Sequence, residues 1–66
     1  MYILTDEPGS GKLGDAFSAL DNTFSTGEFS KGQAITVITN ELECSAEEAS
    51  SVFSKLESSS NISEVD

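Results

Sequence analysis

Sixty-six residues carry twelve carboxylates against three lysines, with no arginine and no histidine, for a formal net charge of -9. Nucleic acid is a poor partner for such a chain, and one cysteine without histidine leaves too few ligands for zinc and no internal disulfide. No stretch approaches the ~18 apolar residues of a membrane span and the N-terminus lacks signal-peptide regions, so a cytoplasmic protein without membrane contact is expected.

This length makes one domain, residues 1–66. It buries only about 60% of the surface its unfolded chain exposes, so marginal stability is expected. Three causes account for acidity of this kind: solubility, a basic partner, or a salt-rich cytoplasm that screens the repulsion over a few ångströms.

The segment Tyr2–Thr5 reads as a short strand, and "YILTDEPGSGKLGDAF" then has the order of a phosphate loop: apolar residues, a glycine-rich turn, a helix-like pattern. The phosphate-loop consensus G-x-x-x-x-G-K-[ST] places Asp6 at its first glycine and Leu13 at its magnesium-binding hydroxyl. Two of four fixed positions fail, one of them by putting a carboxylate where phosphates bind. The remaining chain is also too short for the parallel sheet that carries such a loop. Gly9 to Gly11 is therefore read as a turn.

Ser10 stands where it can cap a first helix, in which Leu13, Phe17, Leu20 and Phe24 recur at spacings of four, three and four beside Ala16. The helix should fade between Asn22 and Ser25, where turn formers gather ahead of Gly27. Glu28–Phe29 follows as a short extended piece. Ser30 and Gln33 have capping-box spacing and open a second helix with Ala34, Ile35, Ile38 and Leu42 inward. The β-branched run Ile35–Thr39 favours a strand, but cap and three-four spacing agree on helix. Ser45 and Glu48 repeat the box at the head of a third helix, with Ala49, Val52, Phe53 and Leu56 on one face. Ser58 to Asn61 breaks it, and Ile62–Val65 alternates as a half-buried strand. Its only partner of similar length is Tyr2–Thr5. The fold class is α+β: three helices over a small antiparallel sheet joining N- and C-terminal strands, with Phe29 near its edge. The expected core is Ile3, Phe17, Leu20, Phe29, Ile35, Ile38, Leu42, Val52, Phe53, Leu56 and Ile62.

The second helix, a three-residue turn at Glu43–Ser45, the third helix and the terminal strand resemble a helix-turn-helix with a winged-helix ending. "NELECSAEEASSVFSKLESSSNI" carries the resemblance without a gap: Leu42 at the apolar end of the first of the two helices, Cys44 at the turn, Ser45 at the cap, and Ala49 and Phe53 on the inner face. The superfamily's glycines are replaced by Glu43 in the turn and Ser60 after the last helix. No sequence remains for a second wing strand, so the wing is truncated. The resemblance implies that the third helix presents Ala46, Glu47, Ser50, Ser51, Ser54 and Lys55, with Glu57 beyond, as the face that in DNA-binding members reads base edges.

That face is too acidic for DNA at ordinary salt, because phosphate neutralisation supplies most non-specific affinity and Lys12, Lys31 and Lys55 are scattered. The expected function is a small non-enzymatic regulatory or accessory protein working through protein contacts, on a basic or apolar surface or by self-association as a dimer. A DNA-binding regulator adapted to a high-salt cytoplasm is the alternative. Each of these side chains, taken singly, reads first as solvated surface, and Cys44 as a small buried apolar group with no basic neighbour visible rather than a reactive thiol. A calcium loop centred on Gly27 puts Asn22 at position one, Phe24 at three, Thr26 at five and Gln33 at twelve; phenylalanine cannot ligate and the bidentate glutamate is missing. No metal, cofactor or catalytic residue is expected, since without histidine or an inferable cleft the carboxylates read as solvation.

Overall fold

Each of the last two helices begins at a serine that closes its first turn. In the computed structural model, which describes residues 1–25 and 27–65, the order is β1 (Tyr2–Leu4), α1 (Lys12–Phe24), α2 (Lys31–Leu42), α3 (Ala46–Ser58) and β2 (Ile62–Glu64). At α2 both halves of the capping box form: the Ser30 hydroxyl accepts from the Gln33 N–H at 3.1 Å, and the Gln33 carboxamide oxygen accepts from the Ser30 N–H at 2.9 Å. This satisfies two donors that the first helical turn leaves without partners. The β-branched run is helical throughout, as the cap requires, and Thr39 returns its hydroxyl to the Ile35 carbonyl at 2.7 Å.

The two strands pair antiparallel in the register Tyr2↔Glu64, Ile3↔Ser63, Leu4↔Ile62, and Phe29 forms a single bridge to the other edge of Tyr2. Three helices and one two-stranded sheet make a small α+β domain, as the sequence pattern predicts. Phe29, Phe53, Leu20, Ile38, Leu56 and Ile62 are its largest fully buried side chains. Alanines 16, 19, 34 and 49 are buried beside them, so helix backbones approach closely where they meet.

Three details depart from the pattern. Ser10 does not cap α1. The helix starts at Lys12 behind Gly11, which has φ 100° and no side-chain cap. The approach loop crosses the first turn so closely that a methyl group on Gly14 would stand 2.3 Å from the Gly9 carbonyl oxygen. Ile3 is only half-buried and lies outside the core cluster. Alternation along β1 turns Tyr2 and Leu4 inward and leaves Ile3 on the outer face across from Ser63. Ile35 and Leu42 also rim the core rather than fill it, because Ala34 and Ile38 define the inward line of α2 and these two stand to one side of it.

The turn between α2 and α3 is three residues long, and Glu43 adopts the left-handed conformation there, φ 51° and ψ 47°. Ser60, after α3, also has positive φ, 61°. These are the two positions at which the resembled pattern has glycine, and both are ones where a side chain is strained.

Two stability outcomes follow. Phe53→Ala removes a fully buried ring and should lower unfolding free energy by about 3–5 kcal/mol in urea titration, enough to leave a domain this small barely folded. Glu43→Gly and Ser60→Gly should each stabilise by about 0.5–1 kcal/mol, the left-handed strain relieved less the extra freedom glycine gives the unfolded chain. A loss of stability in both glycine variants contradicts the strain assignment.

Candidate functional site

The surface proposed from sequence is the outward side of α3. Its N-terminus is held by Ser45, whose hydroxyl accepts from the Glu48 N–H at 3.1 Å. The second half of the expected capping box does not form. Glu48 instead turns its carboxylate across the helix junction to Lys12 at the head of α1. The ammonium adds ion-pair attraction to a hydrogen bond of the charge-assisted kind that the cap N–H would also offer. Both side chains are about half exposed, 52% and 46%, so the pair orients α1 against α3 more than it stabilises either.

The other lysines show how little positive charge is left for a ligand. Lys31 places its ammonium 5.8 Å from the centroid of the Phe53 ring, a cation–π contact that joins the head of α2 to α3. Lys55 lies in the last turn of α3, where a cation suits the helix dipole. Among the described residues it has no ion-pair partner. Meanwhile every described carboxylate is exposed, on loops, helices and strand alike.

Of the six residues expected on the α3 face, Ala46, Glu47, Ser51, Ser54 and Lys55 are exposed and Ser50 is half-buried, as is natural for the residue that follows buried Ala49. Ser51, Ser54 and Lys55 share a shallow depression with Leu13 of α1. Ser45, Glu47, Glu48 and Ser51 border a second. The structure thus brings the predicted face together as one side of one helix, acidic at its start, hydroxyl-rich in the middle and basic only at Lys55.

Cys44 is half-buried and free, and its Sγ lies 4.0 Å from the Ile38 carbonyl oxygen. The fold brings Lys12 into its neighbourhood, which no local pattern around Cys44 indicates. Gly14 lies against the Gly9 carbonyl and Gly11 takes a positive φ at the head of α1, and Lys12, the lysine of the phosphate-loop comparison, is engaged by Glu48. In the calcium-loop comparison, Asn22 and Phe24 are helical, whereas Thr26 lies outside the described residues. No three carboxylate or thiol groups converge as a metal site among the described residues, and no helix among them is long and apolar enough to cross a membrane.

Asn61 does more than help to end α3. It is buried, 5% exposed; its carboxamide N–H donates to the Asp6 carbonyl at 2.9 Å, while its side-chain oxygen has no hydrogen-bond partner among the described residues. Beside it the Thr5 hydroxyl donates to the Ser60 carbonyl. Together they fasten the loop after β1 to the turn before β2. The signal was a lone amide immediately ahead of an alternating strand.

Tyr2 is the one phenol, half-buried edge-on to Phe53 with ring centroids 5.0 Å apart. Partial burial raises its pKa above the ordinary 10.0, with Glu57 and Glu64 adding to the effect. The hydrogen bond from Lys12 to Glu48, and then the charge of that carboxylate, raise the lysine above 10.5; desolvation opposes them and Cys44 adds a little.

No protein-family model matches the chain, and neither does any curated protein or solved structure. The class that the fold defines is a small α+β domain whose termini pair in one sheet.

Both raised values mean that the folded state holds its proton more tightly than the unfolded chain does. The stability they contribute is therefore complete below the unfolded values, near pH 10, and is lost as pH rises through the folded ones. Urea midpoints followed from about pH 8 to about pH 11 should fall on the alkaline side. Tyr2→Phe and Lys12→Met should each flatten part of that fall; unchanged curves for both variants contradict the assignments.

Proposed function

We propose that the chain is a small, non-enzymatic, cytoplasmic regulatory or accessory protein that acts through protein contacts, on a winged-helix type of scaffold with a truncated wing. The observation that carries this reading is the disposition of its three lysines. Lys12 is taken by Glu48 and Lys31 lies over Phe53, so only Lys55 is left on an α3 face that also presents Glu47 and Glu57. A duplex carries a negative charge about every 1.7 Å of its axis, and a protein that binds it neutralises several phosphates. With one lysine neutralised by Glu48 and one over a ring, the eleven exposed carboxylates among the described residues make a surface that such a polyanion repels. A basic or apolar protein surface, or a second copy meeting on an uncharged patch, is the complementary partner.

Direct DNA binding in a salt-rich cytoplasm is the second reading. It is favoured by the three-residue turn between α2 and α3 and by the exposure of Ala46, Glu47, Ser51, Ser54 and Lys55 along one side of α3, the helix such proteins insert in the major groove. At high salt, charge repulsion is confined to a few ångströms.

Titration of mixed duplex DNA at salt concentrations from about 0.1 M to about 3 M separates the two. No binding at any salt is the expected outcome. Tight binding at low salt that weakens as salt rises overturns the protein-contact reading, and binding that appears only near the top of the range replaces it with the second.

A further inference from the structure

Beyond the bridge at Tyr2, the outer edge of β1 meets no further strand among the described residues. In an antiparallel ladder alternate residues point their peptide groups to opposite sides. The Thr5 N–H donates to the Asn61 carbonyl at 2.8 Å and the Val65 N–H to the Met1 carbonyl at 2.8 Å, so the odd-numbered residues of β1 face β2 and Tyr2 and Leu4 face away from it. Tyr2 exchanges both bonds with Phe29, at 2.7 and 3.0 Å. Leu4 exchanges none: its N–H and C=O have no hydrogen-bond partner among the described residues. By register Gly27 would stand opposite Leu4, but the Gly27 N–H turns back to the Phe24 carbonyl at 2.8 Å and the chain leaves the strand.

A groove fills the space where that pairing stops. Leu4 and Glu7 form one wall and Phe17, Ser18, Asp21 and Ser25 the other. Phe17 belongs to the core cluster and Leu4 packs against it, so apolar surface meets the groove, while Glu7 and Asp21 are exposed. No lysine borders it.

The geometry points to this groove as the docking site of a short, extended, basic segment of a partner protein, an inference that rests on the protein-contact reading above and gives it a location other than α3. Addition of a strand at a free edge uses main-chain bonds for affinity and alternate side chains for specificity. One residue of the segment exchanges two bonds with Leu4, an aliphatic side chain covers Phe17, and lysine or arginine residues meet Glu7 and Asp21. A second copy of this chain is a poor occupant. Its Lys12 and Lys31 are engaged, and it would bring further carboxylates against the two already there.

The test uses the full chain labelled with nitrogen-15 and a blocked synthetic peptide, Lys-Val-Lys-Val-Lys, with the same peptide N-methylated throughout as the control that keeps the charge and removes the donors. Resonance shifts should centre on Leu4, Ser18, Asp21 and Ser25, and exchange of the Leu4 amide with solvent should slow by about tenfold or more. N-methylation, or Asp21→Lys in a protein whose circular dichroism is unchanged, should each weaken binding by about tenfold or more. Equal binding of the methylated peptide, shifts centred on α3, or no shift at millimolar peptide overturns the groove assignment. None of these touches the protein-contact reading, which stands or falls with the DNA titration.

Discussion

The structure depends on Phe29. It is fully buried, it supplies both peptide groups of the one backbone link, among the described residues, between the helical part and the outer edge of β1, and its ring stacks on Phe24 with centroids 4.9 Å apart. Tyr2 lies 6.4 Å beyond and meets Phe53 edge-on, and Phe53 in turn carries Lys31 over its face. One aromatic series thus runs from the end of α1 through the bridge and the sheet to α3 and the head of α2. In a domain with so little core, aromatic rings bury the most area per residue, and their offset and edge-on contacts also fix orientation. At Gly27 the chain turns back to Phe24 and the sheet stops, and among the described residues the edge of β1 beside Leu4 is left open.

Electrostatics follows from the same economy of residues. A chain with three cations and a small core uses two of them as fasteners: Lys12 joins α1 to α3 through Glu48, and Lys31 covers Phe53. The described carboxylates meanwhile are spread over the three helices, β2 and the loops, and are exposed. On the proposed reading, selectivity for a partner comes from the uncharged places between them and from backbone groups that have no partner among the described residues. The Leu4 edge is such a place, and Glu7 and Asp21 at its walls turn general acidity into a local preference for basic segments.

Much of the fold is legible in the sequence because its signals are local. The capping box at Ser30 and Gln33 outweighs the β-branched run that follows it, and the structure forms both of its bonds. Ser45 marks the head of α3, and the spacing of Ala49, Val52, Phe53 and Leu56 marks its buried face. Strand pairing is legible by elimination, since an alternating segment near each end has one possible partner. The candidate face on α3 is legible for the same reason its buried face is, being the complement of it. Ser50, Ile3, Ile35 and Leu42 were misplaced because a residue beside an apolar stripe, or on an alternating strand, is inward or outward depending on which neighbour covers it.

By themselves the residues determined which segments coil, which extend, where two of the helices begin and that the surface is acidic, since each of these follows from bonds and periodicities spanning only a few positions. Only the tertiary structure decided that Glu48 abandons its own cap for Lys12, that Cys44 has a lysine nearby, that Gly9 crosses Gly14 closely enough to displace the cap expected at Ser10, and that Asn61 holds the loop after β1. Each of those contacts joins groups well apart along the chain or sets the path of a loop. A polar side chain with several partners within reach chooses among them by geometry that exists only once the helices have packed.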